Sequence, residues 1–547
     1  MTFPELRRRM AQAETPRIEF KAAREGFSKS DALKYLCAFS NEGGGHLVLG
    51  VTDRQPRQVG GSRAFLDIDA QLHDWRQTLG RYIQVTEHAR IVEPGTEPTL
   101  FGDERRVLIF EVEARPAGAY VSYKGVAYVR VGESLVPMPA ERMRQIALEA
   151  VDVSARLVPE SSMEHVDPEA LSAFREGLVA RASTDAAAQR YDALAPATLL
   201  HDLGLTSPAG TLTTAALLLV GTESALQRWL GQAEVIFEKR RLSTSIRYEV
   251  RRAVRKPLLL GLDELVSGVM PYARLDPLEV QTGTRVVQLA RYPERSVREA
   301  ILNAVAHRDY TSDESVFVDL SDEHFAVTSP GAFPGDVTPE NVADKRFPRN
   351  RLLAESLEKC GQIERSGQGV DLMMLAAVRL AQPLPTFEEP ESRRVRVTLT
   401  GRSDAGFFQF TKQIGDDVWE GLTVEDFRTL DATRRRMPTG SMSPASVQHL
   451  LDLGLAQRTE GGHLRPADRW MAAMTAAEQR QLTLDGLKDR IVDVLGQNEP
   501  AGLSMGELEA RFPDQTRRQL RHLLTAMRGA RVEMRGLQGG ARWHAAE

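Results

Sequence analysis

Apolar residues return at helical spacing between Arg291 and Tyr310. Val297, Ala300, Ile301, Ala304 and Val305 follow Pro293 and Ser296, and this pattern predicts an amphipathic helix. Alternating runs at Val316–Leu320 and Phe325–Thr328 predict strands, and SPGAFPG from Ser329 to Gly335 predicts a turn. ERSGQGVDLMM then sets Gly367 and Gly369 directly before an apolar helix. Nearer the N-terminus, Asp31–Ser40 reads as a helix and Leu47–Val51 and Val107–Val112 as buried strands. A hairpin is expected from Tyr120–Tyr123 and Ala127–Val131, turning at Lys124-Gly125. Residues 140–290 read as a mostly helical bridge with one buried strand, in which Thr211–Gly221 is apolar enough to enter the core.

Beyond Leu399 the pattern changes. Ser443–Leu453 predicts a helix with Pro444 in its first turn and Gly454 at its end, followed by a short hairpin turned at Gly461-Gly462. A similar order recurs at Leu487–Leu495, Ser504–Phe512, Gln515–Gly529 and two short strands around Gly536, Gly539 and Gly540. Helix, helix, longer helix, hairpin is the winged-helix order. The expected fold class is α+β and multidomain, with units at 1–139, 140–290, 291–400, 407–475 and 486–547.

The chain has 547 residues, too many for one core, and its 42% apolar and 27% charged content is that of a globular protein. With no span-length apolar run and no signal-like N-terminus, a cytoplasmic protein without membrane contact is expected. Two cysteines, Cys37 and Cys360, fit a reducing compartment and supply no cysteine-based metal site. The net charge of −5 argues against a uniformly basic protein, so nucleic-acid contacts would have to come from local patches.

Glu299 and Asn303, four apart, share one helix face. A carboxylate there can orient and deprotonate a water while the amide oxygen ligates a hard cation such as Mg²⁺. The plainer alternative is a capping box, Ser296-x-x-Glu299. A glycine loop opening a helix, as at Gly367 and Gly369, offers N–H groups and a positive dipole end to phosphate. Glu14, Glu19 and Asp53 form a second candidate set, able to hold one or two Mg²⁺ or Mn²⁺ ions with Lys21 screening a phosphate. Its alternative pairs Glu19 with Lys21 or another base, lets Asp53 cap a turn and leaves Glu14 solvated. Arg24, Lys29, Arg54 and Arg130 line either a nucleic-acid face or a solvated one, and His46 is expected to be a packed or surface histidine. The same two readings stay open for the basic run from Lys239 to Lys256. Arg517, Arg518, Arg521 and Arg535, on the last long helix and wing, are the candidate DNA contacts.

Two resemblances cover these motifs. Glu14-x₄-Glu19-Phe20-Lys21, the helix ending Phe39-x-Asn41 before the glycines, the strand ending Gly50-Val51-x-Asp53, and Tyr128-Val-Arg-Val-Gly-Glu133 together resemble the Schlafen AlbA-type domain. The resemblance implies nucleic-acid binding and, in nuclease members, a metal-dependent site at Glu14, Glu19 and Asp53. EAILNAVAHRDY, SPGAFPGDVTPEN and RNRLLAESLEKCGQIERSGQGV resemble the GHKL α/β sandwich of gyrase and histidine kinases. They resemble more closely the divergent form in bacterial proteins labelled RecG-like helicases or putative transcriptional regulators. This implies Mg-ATP at Glu299, Asn303, Gly331, Gly335, Gly367 and Gly369, although Ser329 and Pro330 stand where such proteins carry an adenine-reading Asp. The expectation is an ATP-binding, nucleic-acid-binding regulator, a homo-oligomer that prefers DNA to RNA at its C-terminus. The alternative is an ATP-gated nuclease used in phage defence, with Glu14, Glu19, Lys21 and Asp53 catalytic and Glu299 serving a weak ATPase. A helicase would need a GxxxxGK[ST] loop, and the sequence has none.

Overall fold

The structure is a computed structural model. It describes residues 6, 9–10, 17–54, 57–65, 73–75, 85–88, 107–116, 118–131, 134–243, 246–273, 278–282, 285–289, 291–335, 337–363, 369–390, 393–437, 439, 442–459, 463–467, 487–488, 490–492, 494–496, 498, 502–513, 515–528, 532–535 and 542–545. Its architecture is mixed α+β, with several small sheets.

The N-terminal unit is built on β1 (Ile18–Lys21), β2 (Gly45–Leu49), β3 (Val85–His88) and β4 (Leu108–Val112), in the order β1-β2-β4-β3. β1 and β2 run parallel, joined by the crossover helix Lys29–Asn41 that Ser28 caps, and the other pairs are antiparallel. Both faces of β2 are covered. Leu47 and Leu49 pack under that helix with Leu36, Phe39 and Phe110, while Val48 packs on the far side with Phe20 and Ile109. Asn41 locks the helix end to the neighbouring turn: its amide nitrogen donates to the carbonyls of Val121 and Tyr128 (3.0 Å each) and its oxygen accepts from Val121 N (2.8 Å). The Lys124-Gly125 turn is present, but it closes a single bridge between Tyr123 and Val126. β5 (Tyr128–Val131) pairs instead with β6 (Ser134–Pro137).

Region 140–290 is not a separate helical bridge with one strand. β7 (Val235–Lys239) and β8 (Val250–Val254) join the central sheet, and β9 (Leu278–Thr282) and β10 (Arg285–Leu289) form a hairpin. The apolar 211–221 stretch folds as the wholly buried helix Thr214–Val220, started by the Thr213 cap. The central sheet adds β11 (Val316–Leu320), β12 (Phe325–Pro330), β13 (Thr386–Glu388) and β14 (Arg394–Leu399), in the order β13-β14-β12-β11-β7-β8. Only β7 and β11 are parallel. Phe237, Val316, Val318, Phe325, Val327 and Val397 share a core with the helices Leu258–Ala273 and Glu294–Ala306.

The helix Gly369–Arg379 has two buried sides. Met373 enters the central core, whereas Met374 and Val378 pack with Phe407, Trp419, Phe427 and Leu450 of the 405–467 unit. That unit holds the helices Val424–Arg434 and Pro444–Asp452 and the hairpin β15 (Ala456–Arg458)–β16 (Leu464–Pro466). The last elements are the helices Met505–Arg511 and Arg517–Met527 and the hairpin β17 (Val532–Arg535)–β18 (Arg542–Ala545), around a separate core of Leu508, Leu520, Leu524, Val532 and Trp543.

Candidate functional site

The Glu294–Ala306 helix begins after Pro293, so Ser296 is a buried residue of its first turn and not its cap. The capping-box reading of Ser296 and Glu299 is thereby excluded. Glu299 faces the start of the Gly369–Arg379 helix. A methyl group at residue 369 would stand 2.3 Å from Glu299 Oε2 and 3.4 Å from Asn303 Nδ2, so both side-chain ends converge on this backbone. Asn303 Nδ2 is buried with no hydrogen-bond partner among the described residues. Asp371, two residues on, has a buried oxygen without a partner among the described residues, and burial pushes its carboxyl above the ordinary range.

Gly331 turns the chain out of β12 at φ +108, and a methyl there would stand 2.9 Å from Asp309 Cβ and 3.2 Å from Arg349 Cζ. Arg349, which the sequence reading did not single out, donates to Ala332 O and keeps Nε buried and unpartnered among the described residues. Ser329 is buried and donates to Ala304 O (2.7 Å), tying strand to helix. Gly335 sits against the Phe347 ring. Gly367 lies outside the described residues.

The residues present fit a magnesium nucleotide at this face. An unpartnered buried amide, a carboxylate one turn away and the N-terminus of an eleven-residue helix meet at one glycine. Glu299 and the Asn303 amide oxygen would hold the cation and its water, and the glycine backbone with the Asn303 Nδ2 donor the phosphates.

The acidic cluster is arranged differently. Glu19 is 2% exposed on β1 and is flanked by Lys21 Nζ (2.6 Å) and Arg130 Nη2 (2.5 Å), with the Tyr35 hydroxyl at 3.3 Å. Asp53 accepts from Lys21 Nζ (3.2 Å) and from Ala22 N (3.1 Å). Burial opposes the charge of Lys21, but its bonds to Glu19 and Asp53 outweigh burial and raise its pKa above the ordinary lysine value. The ammonium thus bridges the two carboxylates, and a divalent cation held by them would have to displace it. Glu14 lies outside the described residues. Arg130 is buried in this cluster and does not line an outer face. Nothing in the sequence marked it as the partner of Glu19. No group of three or more metal-ligating side chains forms among the described residues.

At the C-terminus, Leu520, Leu523, Leu524 and Met527 are buried and Arg517, Arg518 and Arg521 are exposed on the other side of their helix. Arg517 pairs with Glu509 (3.2 Å) and Arg535 with Glu533. Arg518 and Arg521 have no ion pair among the described residues.

Two segments of the chain match known families. Residues 14–139 match the family described as "Schlafen, AlbA_2", and residues 313–399 match that described as "Putative ATP-dependent DNA helicase recG C-terminal". The chain thus carries a Schlafen AlbA_2 domain and a RecG C-terminal-type ATPase-like domain, whose sheet extends back to Val235. Among solved structures it is similar to the DIP2311 protein from Corynebacterium diphtheriae, at 20% identity and TM-score 0.47, over 84% of this chain and 93% of that one. No curated protein matches. Among the described residues no helix is long and apolar enough to cross a membrane.

Proposed function

We propose that the protein is a nucleic-acid-binding regulator whose ATPase-like domain binds Mg-ATP and sets the arrangement of the units on either side. The observation that carries this reading is the meeting of Glu299, Asn303 and Gly369, with the Asn303 amide nitrogen buried and unpartnered among the described residues. Bound Mg-ATP would supply an activated phosphoanhydride. Glu299 would orient a water, the Asn303 amide oxygen would ligate the cation, and the backbone at Gly369 would receive phosphate.

The surrounding contacts give the site something to move. The loop after Gly331 touches both flanks: Arg17 of the Schlafen domain pairs with Glu340 (2.6 Å), and Arg428 of the 405–467 unit donates to Glu340 O (2.9 Å). The helix that opens at Gly369 is itself packed into the 405–467 core. Nucleotide at its first turn biases both contacts. The winged-helix order at the C-terminus then presents Arg518 and Arg521 to DNA, and the Schlafen domain provides a further nucleic-acid contact. The test is duplex affinity with and without Mg-ATP. A shift for wild type that Glu299→Gln preserves and Asn303→Ala abolishes supports the reading, and identical affinities in all cases refute it.

The nuclease reading has one favourable observation, that Glu19 and Asp53 bond the same ammonium and so lie within the span of a metal pair. Neutralisation of Glu19 by Arg130 and Lys21 favours binding without cleavage. Labelled DNA and transfer RNA incubated with Mn²⁺ and ATP should therefore stay intact. Cleavage by wild type but not by Asp53→Ala would establish the enzyme.

A further inference from the structure

The central sheet ends at β8, whose only neighbour among the described residues is β7. The two strands and their connection carry an unusual surface. Between Glu238 and Lys256 stand eight Lys and Arg against two Glu, in a chain whose overall charge is −5. Both acids are already engaged: Glu238 pairs with Arg240 and Arg251 (3.0 Å each), and Glu249 pairs with Lys239. Arg241, Arg247 and Arg252 are exposed and have no ion pair among the described residues.

An aromatic ring stands amid these charges. The Arg240 guanidinium lies 4.5 Å from the centroid of Tyr248 and donates to its hydroxyl (3.1 Å), while the Arg251 guanidinium is at 6.0 Å. The ring is held in one orientation and yet is 45% exposed. Ile246 beside it is 93% exposed. A half-exposed ring fixed by one guanidinium and a bare isoleucine thus stand beside three arginines that have no ion pair among the described residues.

We propose that the β7–β8 edge is a binding surface for single-stranded nucleic acid, with an unstacked base on Tyr248 and the backbone phosphates on Arg241, Arg247 and Arg252. An exposed ring flanked by cations is the combination that single strands use, because every base offers a π face and the arginines track the phosphates. A duplex keeps its bases stacked and has none to offer the ring. A second copy of the chain paired edge to edge would set arginine-rich strands against each other. The surface is distinct from the C-terminal helix, and its assignment does not depend on nucleotide binding.

The test is fluorescence anisotropy of a labelled oligothymidylate and of the matching duplex, titrated with the full chain. It is run in wild type and in the Arg518→Glu/Arg521→Glu background, where the C-terminal helix no longer masks a change. Tyr248→Ala should weaken single-strand binding by roughly tenfold or more, Tyr248→Phe should restore it, and duplex affinity should not follow. Arg247→Glu/Arg252→Glu should flatten the slope of log K against log salt by about 1.4, two phosphates' worth for a single strand. All of these residues are exposed, so folding is not at stake. Single-strand affinity and slope unchanged in both variants would overturn the assignment. So would variants that lose only self-association, or only binding to phosphatidylserine vesicles, while holding the oligonucleotide as wild type does.

Discussion

Asn303 is the residue at which function and stability make opposite demands. Its amide nitrogen is buried without a partner among the described residues, which costs stability, and an acceptor such as a phosphate oxygen that satisfies it gains what the protein lacks. Gly369 meets the same demand from the other side, because its missing side chain leaves room for the Glu299 carboxylate. Gly369→Ala should lower nucleotide affinity by roughly tenfold, about 1.4 kcal/mol, while the melting temperature moves by only a few degrees. Equilibrium binding of a fluorescent ATP analogue, with a thermal melt beside it, reads both. Glu299 and Asn303 were legible in the sequence because i, i+4 spacing on an amphipathic helix fixes a shared face. Arg130 was not, because its pairing with Glu19 depends on β5 folding back over β1, and local pattern carries no sign of a partner so far along the chain. Arg349 was hidden for the same reason: it reaches Gly331 through the path of a loop.

Among the elements, those with a clear period were the readable ones. The helix at 294–306, strands β11 and β12 and the helix capped near Pro444 all stand where alternation and breakers place them. β8 was only half legible: Val250 and Val254 pack against the central core, but Arg252 between them breaks the apolar alternation. Helix Thr214–Val220 was ambiguous because a stretch buried all round has no period at all. The 405–467 unit is held by a polar knot that pattern does not reveal either. Asp426 is 1% exposed and accepts from Thr423 N (2.8 Å), from the Thr423 hydroxyl (2.7 Å) and from the Ser446 hydroxyl (2.6 Å), with His449 Nδ1 at 3.0 Å. Burial resists its ionisation, but these bonds outweigh burial and hold the carboxyl below the ordinary aspartate range. The stabilisation is therefore complete above the unfolded value near pH 4 and is lost as pH falls through the lower folded value. Asp426→Ala should cost about 2–3 kcal/mol at neutral pH and remove that part of the acid sensitivity. Urea unfolding at several pH values, followed by Trp419 fluorescence, checks both.

In the whole molecule, the 338–344 loop and the Gly369–Arg379 helix each touch more than one unit. Residues 338–344 bond Arg17 on one side and Arg428 on the other, and the Gly369–Arg379 helix spans two cores. This places the candidate nucleotide face at the point where the Schlafen domain and the C-terminal half are both held, an arrangement that suits a regulator. The proposed DNA contact at the C-terminal helix turns on free charge. Arg518 and Arg521 face solvent unpaired among the described residues, whereas Arg517 and Arg535 are held by Glu509 and Glu533. Arg518→Glu/Arg521→Glu should weaken duplex binding uniformly across sequences and flatten the log K against log salt slope by about 1.8. Arg517→Glu should do less. An unchanged slope in the double variant would make the last helix a protein contact.

The central claim is that Glu299, Asn303 and Gly369 form a nucleotide site, and titration calorimetry of Mg-ATP into wild type and Asn303→Ala tests it most directly. The account predicts saturable one-site heat for wild type and little or none for the variant, whose nucleotide-free melting temperature equals or exceeds that of wild type. Absence of heat with wild type, or equal affinity in the variant, would contradict it.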